Sequence, residues 1–410
     1  MLLLLNSACF FLTDNKKAGV PYLRELFIVA VFASAMLLLL VWRRAQQSRA
    51  SGWILFFGLL LPVLSAVLAA VNFGQPLTFG LLEERRSLLY LIFFPALFLM
   101  IKARPTQEQL GNYMLWAGLA CVVVGYLYYF GLLPENSDVS FTVDEKSSGD
   151  NPLRPNRFSI GAPYVSACAF LLMYRLRRKT SVAAVLALVV FAAYLWLVIQ
   201  TRNIMLIWVL AGMWIFRSRL DMLFKLAVCA MLVLLAAYFI VPDFFAEQLE
   251  KFNALIFEAT SEGGVRSTTI SIILHEVPDN GFIGLGALSL QWQGGFSRLY
   301  NSFFYLSDVG IIGVYYRYGL FTPIIVLVYY LGYLRIIRQC QVKGDLLCAF
   351  QLDFFFNCIN FFLSSSIMYG GETSGLAIAA FVYFARESVV AKAAVTPPSG
   401  SGYPLPQTGH

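Results

Sequence analysis

Apolar stretches close to twenty residues long recur along almost the whole chain, each stopped by a short polar or basic cluster. A bilayer core about 30 Å thick takes roughly 20 apolar residues per helix, so run length alone selects membrane-spanning helices. The runs are continuous rather than alternating, which excludes a barrel of short strands. With 59% hydrophobic and 13% charged residues and a mean hydropathy of +0.71, a soluble core could not enclose them. The expected fold is an all-α, polytopic transmembrane helical bundle of about 11–12 spans. These spans are expected near 25–43, 52–72, 86–102, 111–131, 158–174, 181–199, 203–216, 222–241, 319–337, 347–367 and 373–389. Residues 1–12 lack the charged start and small-residue cleavage site of a secretory signal and read as a shortened or tilted first helix.

Basic residues sort the spans by side. In one register Arg43, Arg44 and Arg49, Lys102 and Arg104, Arg175 to Lys179, Arg217 to Lys225, Arg335 to Lys343, and Arg386 with Lys392 share a face, which is then the cytoplasmic one. The opposite face receives most of the 23 acidic residues, including those of the loops 134–157 and 242–300. The chain divides into an N-terminal transmembrane bundle (1–241), a periplasmic loop with a re-entrant element (242–318), C-terminal transmembrane helices (319–389) and a disordered cytoplasmic tail (390–410). Residues 301–318 are apolar enough to tempt a further span, but that span would move Arg335, Arg338 and Lys343 outside. A re-entrant or interfacial helix against the outer end of the bundle is expected there instead. The terminal Leu405-Pro406-Gln407-Thr408-Gly409 reads as a chance match to a sortase signal, which should precede a hydrophobic stretch and a basic tail.

Several function classes fall away. The net charge of +7 is scattered in ones to fours between apolar runs and forms no stripe, so no nucleic-acid partner is expected. The seven cysteines form no C-x-x-C and the only histidines are His275 and His410, so neither a disulfide framework nor a histidine metal site is implied. No P-loop or Rossmann glycine pattern occurs, which argues against an ATP-driven pump, and no cofactor is expected.

The residues that suggest chemistry lie on the outer face. Gln200-Thr201-Arg202-Asn203 places a guanidinium where one span ends and the next begins, as a snorkelling anchor or as a fork aimed at phosphate oxygens. In the long loop, Arg266 opens an amphipathic helix stopped near Pro278, followed by a glycine-rich turn from Gly281 to Gly286. Then come Arg298-Leu299-Tyr300-Asn301 and Ser307-Asp308-Val309-Gly310-Ile311-Ile312-Gly313.

This order resembles the O-antigen polymerase and O-antigen ligase superfamily of bacterial glycan-assembly enzymes. In that family an arginine at the outer end of a span, a second heading a loop helix, a Gly-x-Gly turn, a His-Asn pair and a Gly-(Leu/Ile)-Ile-Gly re-entry follow one another. The matching positions are Arg202, Arg266, Gly284 with Gly286, Asn301, and Gly310 with Gly313. Tyr300 stands where the family has its histidine, which leans the chain toward polymerases. The specific likeness covers residues 200–319; the remainder agrees in hydropathy and span number.

The resemblance implies a multi-pass enzyme of the bacterial inner membrane with its active face in the periplasm. It would move glycan repeat units from an undecaprenyl diphosphate-linked oligosaccharide onto a sugar hydroxyl, among membrane lipids and with room for a chain-length-regulating partner. Arginines can neutralise the departing diphosphate by bidentate hydrogen bonds, and no Asp-x-Asp pair occurs in the outer loops, so a metal-independent site is expected. Arg202 and Arg266 are the first candidates for the diphosphate, with Arg298 and Arg317 in reserve.

Candidates for the general base are Asp308, His275, Glu276 and Asp279. Asp308 comes first because its apolar neighbours Leu306 and Val309 would partly desolvate it, the alternative being a cap for the helix that follows. His275 can equally be a surface residue of the loop helix. Tyr126, Tyr128, Tyr129, Tyr315, Tyr316 and Tyr318 can form an interfacial aromatic belt or stack on sugars.

Two rivals remain. A ligase would deliver finished glycan to a lipid A core or a protein. A transporter of the lipid-linked oligosaccharide would carry ionisable groups in mid-membrane, whereas Asp353 is the single acidic residue expected within a span.

Overall fold

The computed structural model describes residues 1–13, 18–42, 49–134, 136, 157–219, 265–301, 304–340, 343–363 and 367–395, with scattered positions between 221 and 250. Among the described residues the chain is helical and has no sheet, only a single isolated bridge between Phe11 and Val20. The helices are α1 (Leu2–Asn6), α2 (Leu23–Val41), α3 (Arg49–Phe73), α4 (Leu77–Ala103), α5 (Gln107–Tyr129), α6 (Ala162–Arg178) and α7 (Val182–Ile199). They continue with α8 (Arg202–Phe216), α9 (Val265–Asp279), α10 (Gly295–Leu299), α11 (Ile311–Tyr318), α12 (Thr322–Gln339), α13 (Asp345–Leu363) and α14 (Gly371–Val395).

Seven helical stretches among the described residues are long and apolar enough to cross a bilayer: α2, α3, α4, α5, α7, α13, and the run Ile311–Gln339 that joins α11 to α12. Their outer surfaces carry exposed Leu, Val, Phe and Ile, as lipid-facing helices do. The expected polytopic all-α bundle is therefore the observed one. The expected span 222–241 lies mostly outside the described residues.

Two helices form the centre. In α6, Tyr164 to Leu172 are all buried, and in α14 the run from Leu376 to Tyr383 is at most 6% exposed. The approach of α14 to α4 is set by Gly371 and Gly375, four apart. A Cβ on Gly371 would lie 2.6 Å from the Tyr90 nitrogen, and one on Gly375 2.8 Å from the Tyr90 carbonyl oxygen. Small residues at this spacing let backbones meet where lipid provides no hydrophobic drive. The stretch they meet, Glu84–Ile92, is wound as a 3₁₀ helix inside α4. Around it, Trp53 packs on Phe57, Tyr90, Tyr329 and Tyr333 and donates its indole N–H to the Val328 carbonyl at 3.2 Å.

One end of the bundle is tied by polar contacts. Thr106 and Gln109 form a reciprocal capping box at the start of α5. Gln107 accepts the Gly344 amide at 2.8 Å, and Arg178 pairs with Asp345 at 2.9 Å. Lys102, Arg104, Arg175, Arg177, Arg338 and Lys343 gather at this same end. The opposite end carries a cap built from α9, α10 and the segments around them, with its own small core of Ile273, Val277, Leu285, Leu288, Phe296, Phe304, Leu306, Val309 and Tyr316.

Residues 1–12, expected to hold a shortened or tilted first helix, contain the five-residue helix α1, followed by a turn in which Cys9 and Phe11 are buried against the bundle. Two expectations change. The third span starts not at 86 but at Leu77, because Glu83 to Arg86 are drawn into the helix rather than left in a loop. The α-helix in 301–318 is confined to Ile311–Tyr318, after a 3₁₀ turn at Leu306–Asp308, and runs through one more, Gly319–Phe321, directly into α12. Gly319 makes that joint, since its φ of 55° and a Cβ position 2.1 Å from the Phe282 carbonyl oxygen admit no side chain.

Candidate functional site

The cap is seated by α9 and by the extended stretch that follows it. Thr269, Ile273 and Val277, at i, i+4 and i+8, are buried and turn one face of α9 inward, leaving Ser271, Leu274, His275 and Asp279 exposed. The helix ends at Asp279, one residue after Pro278, and the chain turns at Gly281. It then runs along α11 and the end of α3. The Leu285 amide donates to the Tyr316 carbonyl at 2.8 Å, the Gly286 amide to the Arg317 carbonyl at 3.2 Å, and the Leu320 amide to the Phe282 carbonyl at 3.1 Å. Gly284 and Gly286 make this contact possible: a Cβ would come within 2.2 Å of the Arg317 carbonyl oxygen at the first and 2.3 Å of the Ser65 carbonyl oxygen at the second.

Side chains of α3 and the turn after it complete the seat. Asn72 donates to the Gly284 carbonyl at 3.1 Å and accepts from Asn280 at 3.1 Å. Gln75, buried, donates to the Ala287 carbonyl and accepts the Ser289 amide at 2.7 Å.

On the outer side of the cap, Ser271, Ile272, His275, Glu276, Leu299 and Tyr300 line an open cleft of about 410 Å³. His275 Nδ1 lies 3.1 Å from Asp279 Oδ2, one helical turn on, so the carboxylate can fix the ring and leave Nε2 as its second polar atom. Tyr300 donates to Glu276 Oε2 at 3.4 Å and shares a 2.8 Å hydrogen bond with the hydroxyl of Tyr316, which is fully buried. Burial pushes the Tyr300 hydroxyl above the ordinary tyrosine range. The Tyr316 hydrogen bond opposes this and the charge of Glu276 adds to it. The Tyr300 proton is directed at Glu276. Stacking on Phe296 and close packing on Phe304 fix its ring.

The other candidates fall in several places. Arg298, on α10, is exposed and precedes two cleft residues, Leu299 and Tyr300. Arg266 is exposed on the first turn of α9, nine residues or two and a half turns from His275, and so on the opposite side of the helix. Asp308 lies near that first turn: its amide donates to the Tyr305 carbonyl, and the Tyr305 amide reaches Thr269 Oγ1 at 3.5 Å. Asp308 does not cap α11, whose N-cap is Gly310 with no side-chain bond; its carboxylate accepts from Ser307 at 3.1 Å. Asn301 accepts the Phe304 amide with its carbonyl. Gly310 and Gly313 pack against the carbonyls of Phe362 and Leu306. Arg202 occupies the first position of α8, which packs on α6; its side chain lies outside the described residues.

Arg317 is the outlier among the arginines. Its side chain is 2% exposed, its Nε lies 2.9 Å from Glu84 Oε1 and its Nη2 donates to the Tyr369 hydroxyl at 3.3 Å. A guanidinium held this way is closed to a ligand in the cleft. Its partner was missed from the sequence because Glu84 was placed in a loop. The usable signal was four consecutive charges, Glu83 to Arg86, between apolar runs with no turn residue among them. Asp353 is accordingly not the only acidic residue inside a span. Glu84 is 1% exposed within α4, and Asp353, 7% exposed in α13, accepts from Asn357 at 3.0 Å.

Among the described residues no cluster of histidine, cysteine or carboxylate groups could hold a metal ion. No family model and no curated protein matches this chain. The site brings together an imidazole oriented by a carboxylate, a second carboxylate held by a tyrosine, and Arg298 next in sequence to the cleft residues.

Proposed function

We propose that this chain is a membrane glycosyltransferase that extends a surface polysaccharide, taking glycan repeat units from a lipid diphosphate carrier and joining them to a sugar hydroxyl. The observation that carries the reading is the His275–Asp279 pair in a cleft shared with Glu276 and Tyr300, on a cap seated at the end of the bundle away from the basic cluster. An acceptor hydroxyl in that cleft loses its proton to His275 Nε2 as its oxygen bonds to the anomeric carbon of the donor. The bond from that carbon to the diphosphate breaks, and Arg298, next in sequence to the cleft residues Leu299 and Tyr300, neutralises the departing charge. The ordered motifs between residues 200 and 319 that resemble the O-antigen polymerase and ligase superfamily support the same reading. The cap would then face the periplasm of a bacterial inner membrane, which agrees with the basic residues gathered at the other end.

A second reading, transport of the lipid-linked oligosaccharide, is favoured by one observation. The Glu84–Arg317 pair is buried where two membrane-crossing helices meet, and ionisable groups within such helices often mark a translocation path. One experiment separates the two. A strain lacking the protein is complemented with wild type, His275→Ala or Arg298→Ala at matched membrane levels, and its glycan ladder is read. Single repeat units stranded on the outer face support transfer. Repeat units accumulating on the cytoplasmic face, or a full ladder from every variant, overturn it.

A further inference from the structure

The polar contacts beneath the cap close on themselves. The Ala287 amide donates to Ser65 Oγ at 3.1 Å, and Ser65 Oγ donates to Glu84 Oε1 at 2.8 Å. The same oxygen faces Arg317 Nε at 2.9 Å, and the Arg317 carbonyl accepts the Gly286 amide, which returns the path to the residue before Ala287. Ser65, Glu84 and Arg317 are each at most 1% exposed. The ring joins α3, α4, α11 and the cap through one carboxylate oxygen.

Stability alone does not account for such a ring. A buried ion pair often contributes less than apolar groups of the same volume would, because both charges are stripped of water. This pair is also imperfect: it is off the hydrogen-bonding direction of Nε, and Glu84 Oε2 has no hydrogen-bond partner among the described residues. What the ring adds is uniqueness of seating. Apolar surfaces tolerate sliding, whereas these bonds close only when Gly286 and Ala287 lie in one register over Ser65 and Arg317. Arg317 is followed back along α11 by Tyr316, whose hydroxyl holds Tyr300 in the cleft. A shift of α11 at Arg317 therefore reaches the cleft through the next residue.

We infer that Glu84 is a positioning residue: through Ser65 and Arg317 it sets the register of the cap on the bundle, and through Tyr316 and Tyr300 the geometry of the cleft. The seating stands on the contacts alone; its effect on catalysis rests on the transfer reading above. Two readouts keep these apart. In open membrane fragments carrying the full chain, trypsin cleavage after Arg298, in a helix whose Gly295 and Phe296 are buried while the cap is seated, reports how often the cap opens without any substrate being turned over. Glu84→Gln is expected to speed that cleavage about tenfold or more. Glu84→Asp should recover part of the protection, and exchange of the pair, Glu84→Arg with Arg317→Glu, should protect better than either single change. Ser65→Ala, which keeps both charges, should also accelerate cleavage and serves if Glu84→Gln fails to accumulate. In transfer assays the same variants should raise the KM for acceptor more than they lower kcat, since the groups in the cleft are intact but displaced. Cleavage within twofold of wild type for the Glu84→Gln or Ser65→Ala protein overturns the inference. Faster cleavage with unchanged transfer would leave the seat in place and remove its link to the cleft.

Discussion

A Cβ on Gly284 would lie 2.2 Å from the carbonyl oxygen of Arg317, closer than any side chain can sit to a backbone atom. Neither partner can yield cheaply, because the Arg317 carbonyl already accepts the Gly286 amide. Gly284→Ala should therefore destabilise the protein by about 1–3 kcal/mol, the usual cost of overpacking. Gly52→Ala is the control, since nothing lies within 4 Å of its Cβ position and alanine favours the helix there. Thermal unfolding in detergent should separate the two; equal melting temperatures would contradict the close seating of the cap.

The His275–Asp279 pair is expected to matter for activity and not for stability. Its side chains are 76% and 66% exposed, and a polar pair so open to water contributes at most about 0.5 kcal/mol. Removing a general base typically costs about 10²–10⁴ in rate. His275→Ala should thus abolish measurable polymer at unchanged melting temperature, and Asp279→Asn should act in the same direction but less. A variant that loses activity and stability together would mark the pair as structural.

Tyr300 and Tyr316 should respond unequally to loss of a hydroxyl. Tyr300→Phe removes the partner of a hydroxyl with no exposure, and stranding it costs about 1–3 kcal/mol. Tyr316→Phe leaves Tyr300 with Glu276 and should cost less. The double variant should be no worse than Tyr300→Phe alone. Additive losses in a double-mutant cycle would show that the two hydroxyls do not work as a unit.

The raised pKa of Tyr300 fixes the sign of one pH effect. Its hydroxyl keeps its proton in the folded cap to a higher pH than in the unfolded chain, where tyrosine titrates near about pH 10. The stabilisation is complete below that pH and is lost as pH rises through the folded value. Cap stability should thus be flat in this respect from neutrality to about pH 9 and fall above about pH 10, and Tyr300→Phe should flatten the fall. Hydrogen exchange of the α9 amides across that range measures it; an equal decline in both proteins would exclude Tyr300 as its source.

Hydropathy found the bundle because span length is imposed by the bilayer, and α2, α5, α7 and α13 lie within a few residues of where it placed them. It failed at α4 for a physical reason. A window that penalises charge cannot know that Glu84 will meet Arg317, a partner supplied by another helix. The loop helix was legible from its amphipathic pattern and Pro278, and observed α9 differs by one residue at each end. What was not legible was grouping. His275, Glu276 and Asp279 were visible as candidates, but only the fold brings Tyr300 to them and leaves Arg266 on the far side of the helix. Asp308, first choice from local desolvation, sits by that other end near Thr269.

The ion pair also bears on how the protein is made. More than half the chain separates Glu84 from Arg317, so synthesis delivers α4 to the membrane long before its counter-charge exists. Until α11 emerges, a helix holding Glu83, Glu84, Arg85 and Arg86 has to keep those groups wet, either shallow in the headgroups or shielded by the insertion machinery. Final burial of the third span is then a late event of assembly, completed when the C-terminal third of the protein arrives. A nascent chain halted before Arg317 would carry α4 at a different depth from the finished protein.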